Sequence, residues 1–113
     1  GVYLDVKSIT TEPLENTLLD TDEFILTHWE GKDFAKELNY EFGEFQNWHI
    51  ICKPGHPFLK NIIEIVKDNI RNFEFGYGKS GVLHTTGPIP YSQGVLISLQ
   101  EYKTPYSNSP VRE

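Results

Sequence analysis

Cysteine is nearly absent from the 113-residue chain, since Cys52 is its single thiol. One cysteine excludes an internal disulfide and a cysteine-rich zinc site, and it leaves the redox compartment open. Long apolar runs are also missing, because the longest runs are a handful of residues where a membrane-spanning helix needs about 20. The sequence therefore predicts neither a membrane segment nor a secretory leader within these residues.

Basic clusters are missing too, although charged residues make up 23% of the chain. The formal net charge is −6 and its distribution is uneven. Residues 1–50 hold eleven acids and three bases, whereas residues 51–113 hold five acids and seven bases. A nucleic-acid-binding protein needs a basic stripe that displaces counterions from phosphates. We therefore expect no direct binding to DNA or RNA.

Spaced metal ligands and hydrolase motifs are not found either. Ser92 has no G-x-S-x-G setting, and Cys52 has no evident catalytic partner. None of the four histidines belongs to an HxH or HExxH pattern. These histidines, which stand far apart, are His28, His49, His56 and His84.

Apolar and aromatic residues are present in the amounts expected of one globular domain, at 38% and 13%. A disordered chain would have fewer of both, and a chain of this length has room for a single core. Gly1 is followed at once by strand-forming residues, with no methionine before it. We therefore expect the chain to be a piece of a longer protein.

Hydrophobic spacing predicts short strands and two longer helices. Val2, Leu4 and Val6 alternate with polar residues, which is typical of a strand. From Phe58 to Ile70, apolar residues recur every three or four positions, which is typical of an amphipathic helix. The predicted strands cover residues 2–6, 24–29 and 47–53, and the predicted helices cover 57–72 and 91–102, with a short helical piece over 11–19 that Thr11 caps.

The remaining segments predict irregular structure. Residues 30–45 show no clean period, so we expect a loop or a short hairpin there. Glycines punctuate residues 75–81, which predicts a loop, and the proline-containing residues 103–113 are expected to form an irregular tail. The sequence thus predicts an α/β domain over residues 1–102 followed by that tail.

Asp5 is a candidate functional residue because it stands at the end of the first predicted strand. A carboxylate is costly to desolvate there unless it meets a cation or hydrogen-bond donors. Lys7 follows two positions later and, in a strand, projects from the same face. A strand-end ion pair between Asp5 and Lys7 is the structural alternative to a functional pair.

A second candidate is the segment that precedes the last predicted helix and consists of Thr85, Thr86, Gly87 and Pro88. Hydroxyls and free backbone N–H groups beside a helix N-terminus favour an anionic or polyhydroxyl ligand. The structural alternative is a helix cap that contains a proline.

Asn47, Trp48 and His56 complete the candidates. Asn47 and Trp48 offer an amide and an aromatic plate, a pair suited to the hydroxyls and apolar faces of a sugar, although a tryptophan is also a common core residue. His56 stands between Gly55 and Pro57, where it is placed to cap the main helix or to contact a ligand.

Four segments in this order resemble the carboxyl-terminal portion of family 32 glycosyltransferases, a group that includes mannosyltransferases and α-1,4-galactosyltransferases. The resemblance covers nearly 90 residues and does not extend beyond about Tyr102. The four segments are Gly1–Lys7, Asn47–Ile51, Pro54–Leu59 and Thr85–Pro88.

The resemblance implies part of a GT-A fold, in which helices flank a Rossmann-like mixed sheet. It implies a retaining hexosyltransferase that uses a nucleotide-sugar donor, a glycan or lipid-linked acceptor and a divalent cation, Mn²⁺ or Mg²⁺. The amino-terminal half that holds the base and ribose in such enzymes is expected to lie outside this chain. The 113 residues alone are therefore expected to be incomplete for activity.

The same resemblance assigns roles to individual residues. Asp5 matches the first acid of the family's DxD pair, a metal ligand and catalytic residue, whereas Lys7 replaces the second acid and leaves metal dependence open. Asn47 matches a catalytic asparagine near the donor sugar. The donor- and acceptor-binding residues would be Lys7, Trp48, His56, Thr85, Thr86, Gly87 and Pro88.

Two other functions remain open at this point. One is a non-catalytic carbohydrate-binding or scaffold domain derived from a glycosyltransferase, in which Lys7 reflects loss of metal chemistry and Trp48 stacks on sugar. The other is a structural α/β domain without a ligand. The sequence also leaves the compartment open, since the resemblance fits the cytoplasm for a bacterial or viral protein and the Golgi lumen for a eukaryotic one.

Overall fold

The computed structural model describes residues 1–29, 44–101 and 111–112. None of the helices in these ranges combines the length and the hydropathy that a membrane-spanning segment requires. A 3₁₀ turn, Leu14–Asn16, lies between the first two strands. The strands and α-helices are β1 (Val2–Leu4), β2 (Phe24–Ile25), β3 (His28–Trp29), β4 (Glu44–Phe45), β5 (His49–Cys52), α1 (Pro57–Asn72), α2 (Gly78–Thr85), α3 (Pro88–Glu101) and β6 (Val111–Arg112).

Four of the strands form one sheet in the order β1-β5-β2-β6. β5 runs antiparallel to both of its neighbours, with Leu4 opposite His49 and Ile25 opposite Ile51. β6 pairs with β2 in parallel, and β3 and β4 form a separate antiparallel pair. The mixed α/β class predicted from the sequence is therefore confirmed.

β5 presents apolar side chains to both faces of this sheet. Ile50 and Cys52 pack against the hydrophobic core beneath the helices. His49 and Ile51 line a cavity on the opposite face, which we call the outer face. This alternation follows from the two-residue period of a strand.

The predicted helix over residues 57–72 is confirmed as α1. Pro57 occupies its first position, where no intrahelical partner for an N–H is needed. The Nδ1 atom of His56 accepts a hydrogen bond from the N–H of Phe58 at 3.3 Å, so His56 caps the helix as expected. The helix ends at Asn72, because Phe73 adopts a left-handed conformation with φ of 46°.

The core lies between the sheet and helices α1 and α3. Phe24 of β2, Phe58 of α1 and Val95 of α3 are completely buried, and the rings of Phe24 and Phe58 lie 5.5 Å apart. Gly94 lets α3 approach α1, because a Cβ atom there would lie 2.5 Å from Cγ1 and 2.8 Å from Cα of Ile62. The backbone of α3 at Gly94 therefore packs directly against Ile62 of α1.

The first strand is shorter than predicted. β1 ends at Leu4, and the backbone then turns, with the N–H of Ser8 donating to the carbonyl oxygen of Asp5 at 2.8 Å. Val6 is consequently 99% exposed instead of facing the core. The predicted cap at Thr11 is also wrong, because the only helical structure in that segment is the 3₁₀ turn, which follows Pro13 and has no side-chain cap.

The loop predicted over residues 75–81 is wrong from residue 78 onward, where α2 begins. Gly76 and Gly78 have φ angles of 70° and 81° and turn the chain into the helix. Position 81, inside α2, requires glycine, because a side chain there would collide with the carbonyl oxygen of Gly76. Glycine thus serves close packing here, as well as the turn.

Three other boundaries differ from the predictions. The strand over 24–29 is divided into β2 and β3, and α3 begins at Pro88, three residues earlier than expected, since the first turn of a helix accepts proline. Residues 111–112 of the expected irregular tail form β6. Residues 30–43 and 102–110 lie outside the described residues.

Gly94→Ala is predicted to destabilise the protein. An added methyl group must displace Ile62, and overpacking of this kind costs about 1–3 kcal/mol. Gly→Ala in an unobstructed helix would instead increase stability, so the sign of the effect is diagnostic. Urea denaturation measures the free energy of unfolding, and Gln100→Ala, at an exposed position of the same helix, is the control. An unchanged or more stable Gly94→Ala variant would contradict the close approach of the two helices.

Candidate functional site

Asp5 lies where β1 stops and the chain turns. Its backbone N–H donates to the carbonyl oxygen of Trp48 at 2.8 Å, which extends the β1–β5 pairing by one residue. Its own carbonyl accepts from Ser8, which closes a turn over residues 5–8. The backbone therefore places Asp5, Lys7 and Trp48 at one end of the two paired strands.

The Asp5 side chain is exposed, unlike the strand-end carboxylate that the sequence predicts. The Tyr3 hydroxyl donates to its Oδ1 atom at 2.7 Å. This hydrogen bond and the charge of Asp5 raise the pKa of Tyr3. The carboxylate remains open to a ligand.

Lys7 does not share a strand face with Asp5, because the strand has ended before either residue. It is exposed in the turn, and no ion pair joins it to Asp5 in the part of the chain that the structure describes. The predicted geometry of this pair and its ion-pair alternative are therefore both wrong. A cation and a carboxylate stand close in sequence with their charged groups facing solvent.

Asn47 and Trp48 lie immediately before β5 and beside Asp5. Asn47 is partly buried, and Trp48 is 41% exposed, so Trp48 is not a core residue. The indole N–H of Trp48 donates to Oε1 of Gln46, and its ring meets that of His49 edge-on at 4.6 Å. These contacts hold an aromatic surface at the same end of the sheet as Asp5.

A cavity of about 320 Å³ adjoins Trp48 and lies between the outer face of the sheet and the segment of residues 8–17. Leu4, Ile25 and Ile51 provide its apolar wall. Trp48 and His49 also line it. Sequence reasoning missed this site, although the run of hydroxyl residues at 8–11 was a signal.

His49 is buried at the cavity, being 4% exposed. Its Nε2 atom lies 2.9 Å from Oγ1 of Thr27, while Nδ1 has no hydrogen-bond partner among the described residues. Burial lowers the pKa of this imidazole. His49 is therefore neutral at neutral pH and keeps one ring nitrogen for a further partner.

His56 lies beyond the other end of β5. Its ring packs against Phe24 at 5.1 Å, and its Nε2 atom is 3.7 Å from Oε2 of Glu23. Burial lowers the pKa of His56, and the nearby Glu23 carboxylate partly opposes that shift. The described contacts of His56 are those of a helix cap, and they do not join it to Asp5 or Trp48.

The Thr85–Pro88 segment links α2 to α3. The N–H groups of Thr86 and Gly87 both donate to the carbonyl oxygen of Val82, at 3.2 and 2.9 Å. The side-chain amide of Asn69 donates to the carbonyl oxygen of Thr85 at 3.2 Å. The expectation of free N–H groups at Thr86 and Gly87 is therefore wrong, because these groups terminate α2, a helix that the sequence did not predict.

The structure thus brings together four of the predicted site residues and leaves the others elsewhere. Asp5, Lys7, Asn47 and Trp48 meet at one end of β1 and β5. No three His, Cys, Asp or Glu side chains come together as metal ligands within the described ranges. Of the four residues at this end of the sheet, Asp5 is the one with a carboxylate that could bind a divalent cation.

The two buried histidines predict lower stability in acid. A lowered folded-state pKa means that the unfolded chain, with a histidine pKa of about 6.5, takes up protons first. The stabilisation is therefore complete above about pH 6.5 and declines as the pH falls below it. Urea denaturation between pH 7.5 and 5 should show this decline, and it should be shallower in His56→Asn, which keeps a capping side chain. Equal pH slopes for the variant and the wild type would contradict this role of His56.

Comparison of the chain with protein-family models, with curated proteins and with solved structures finds no match in any of the three.

Proposed function

We propose that this chain is part of a hexosyltransferase that transfers a hexose from a nucleotide-sugar to a glycan or lipid-linked acceptor. The single observation that carries the proposal is the backbone pairing of Asp5 with Trp48 at one end of two paired strands, with Asn47 next to Trp48 in the chain. These residues come from two of the segments that resemble family 32 glycosyltransferases. Residues more than 40 positions apart in sequence thus bring an exposed carboxylate, an amide and an aromatic surface to the same end of the sheet.

The chemistry of transfer suits this arrangement. Negative charge grows on the diphosphate leaving group as the glycosidic bond breaks, and positioned charges stabilise it. Lys7 lies in the turn that follows Asp5 and is exposed, so its flexible side chain is free to reach a phosphate oxygen. In the proposal, Asp5 and Lys7 lie on the donor side of the site, and Asn47 faces the donor sugar.

A Mn²⁺ or Mg²⁺ ion belongs to the proposal through Asp5 alone. A small divalent cation in an enzyme is commonly held by one or two protein carboxylates together with substrate phosphates. The described residues form no group of three or more possible metal ligands, and Asp5 is the carboxylate that the proposal assigns to the ion. Stabilisation of the leaving-group charge is therefore assigned to Lys7.

The sheet supports a partial GT-A fold as part of the same proposal. β5 lies antiparallel between β1 and β2, while α1 and α3 cover one face. Such a mixed sheet, with functional residues at the carboxyl end of a strand, is compatible with nucleotide-sugar binding.

A non-catalytic carbohydrate-binding domain is the second candidate. The observation that favours it is the lysine at the second position of the acid pair, together with the exposed indole of Trp48. In that case sugar would bind and no transfer would follow.

Asp5→Asn in the full-length protein is predicted to reduce transfer by about a hundredfold, a common loss when one preorganised charged group is removed. Asparagine keeps an oxygen that accepts from Tyr3, so the local fold should survive. The measurement is transfer from UDP- and GDP-sugars to glycan acceptors. Asp68→Asn, which removes an exposed carboxylate on α1, is the matched control. Activity of Asp5→Asn within about threefold of wild type would exclude Asp5 from the donor site.

Lys7→Asp is predicted to raise the dependence of transfer on Mn²⁺, because it supplies the second acid of the pair. The measurement is a titration of activity against Mn²⁺ for the wild type and the variant. Lys60→Asp, an equal change of charge at an exposed position on α1, is the control and should leave the titration unchanged. Identical Mn²⁺ curves for wild type and Lys7→Asp would show that Lys7 does not occupy the second acid position.

A further inference from the structure

The cavity between the outer face and residues 8–17 has the composition of a site for a neutral sugar. Its wall of Leu4, Ile25 and Ile51 is apolar, and Trp48 adds an aromatic surface. Its volume of about 320 Å³ is at the lower end of the range for small-molecule pockets. That size suits one sugar unit, not a long oligosaccharide.

Residues with hydroxyl groups line the same cavity. They are Ser8, Thr10, Thr11, Thr17 and Thr27. A hydroxyl both donates and accepts, so such a lining matches the hydroxyls of a pyranose whichever way each of them points. The apolar wall and the indole match the C–H faces of the same ring.

The charges of the lining residues favour a neutral ligand. Glu12 is the one formally charged side chain among the described residues that line the cavity, and its Oε1 atom accepts a hydrogen bond from Oγ1 of Thr17 at 3.2 Å. Among the described residues, no lysine or arginine lines the cavity. A phosphate or diphosphate would therefore meet a carboxylate without a cation, which is unfavourable.

His49 provides an independent indication of a ligand. Its Nδ1 atom is buried without a hydrogen-bond partner in the described part of the chain, while its Nε2 atom is engaged with Thr27. A buried polar atom without a partner is costly. A ligand hydroxyl, brought in through the adjoining cavity, is a partner of the right kind for a neutral imidazole.

We infer that this cavity binds the neutral pyranose of the acceptor, beside the donor side at Asp5 and Lys7. That the bound sugar is the acceptor rests on the proposed function. The binding of a neutral pyranose rests on the cavity itself. The donor diphosphate and the acceptor sugar thus occupy separate surfaces that meet at Trp48.

The test uses saturation-transfer NMR and calorimetry on the full-length protein, with methyl glycosides of mannose, galactose and glucose as probes. At least one of them should bind with a dissociation constant in the millimolar range or below, and glucose 6-phosphate should bind more weakly because of Glu12. Trp48→Ala should weaken binding at least about fivefold through loss of the aromatic contact. Tyr77→Ala, which removes an exposed aromatic residue that does not line the cavity, should leave binding unchanged.

Two further variants separate the cavity from the donor side. Leu14→Trp places a bulky side chain in the cavity from the 3₁₀ turn and should abolish glycoside binding. Thr27→Val removes the hydroxyl beside His49 at nearly constant side-chain volume and should weaken glycoside binding. Circular dichroism and thermal unfolding check that each variant is folded.

The outcomes distinguish this inference from the proposed function. Glycoside binding that is unaffected by Leu14→Trp and Thr27→Val, absence of binding at about 20 mM of every glycoside, or tighter binding of the phosphorylated sugar would each overturn the inference. Transfer activity with an acceptor KM unchanged in Leu14→Trp would also overturn it while the proposed function stands. Glycoside binding at the cavity without transfer from any donor would overturn the proposed function and leave the neutral-sugar site in place.

Discussion

The antiparallel pairing of β5 with both β1 and β2 is the constraint on which the other features depend. Because side chains alternate along β5, Ile50 and Cys52 complete the core while His49 and Ile51 form part of the outer face. The first residue after β1 and the last residue before β5 are then brought opposite each other. The functional candidates at this end of the sheet are thus a consequence of strand register.

The parts of the fold that the sequence predicts are those in which local signals agree. α1 was predictable because a capping histidine, a proline at the first position and a regular apolar stripe all indicate the same helix. α2 was not, because Gly76, Gly78 and Gly81 are usual signs of a loop, and only the tertiary structure shows that Gly81 is required by a close backbone contact. β6 was missed for a related reason, since a two-residue strand depends on its partner β2 and has little pattern of its own.

The site shows the same division between local and non-local information. Asp5, Asn47 and Trp48 could be selected as candidates from their residue types and order, but their meeting depends on the register of two strands. The exposure of Asp5 could not be predicted, because it follows from the early end of β1 at Leu4, two residues before the predicted end of the strand. The free N–H groups expected at Thr86 and Gly87 were an error of another kind, since the carbonyl oxygen that they share belongs to a helix that the sequence did not indicate.

The order of the elements along the chain has a consequence for how the protein folds. α1, α2 and α3 all lie within residues 57–101, and the main contact among them joins α1 to α3, where Gly94 packs against Ile62. The sheet, in contrast, joins β1 to β5 and β2 to β6 across long intervening segments, and closing such loops carries an entropic cost. Contacts of short range form faster than those of long range. The pairings of β1 with β5 and of β2 with β6 would therefore form late in folding, and the first of them completes the end of the sheet that holds Asp5 and Trp48.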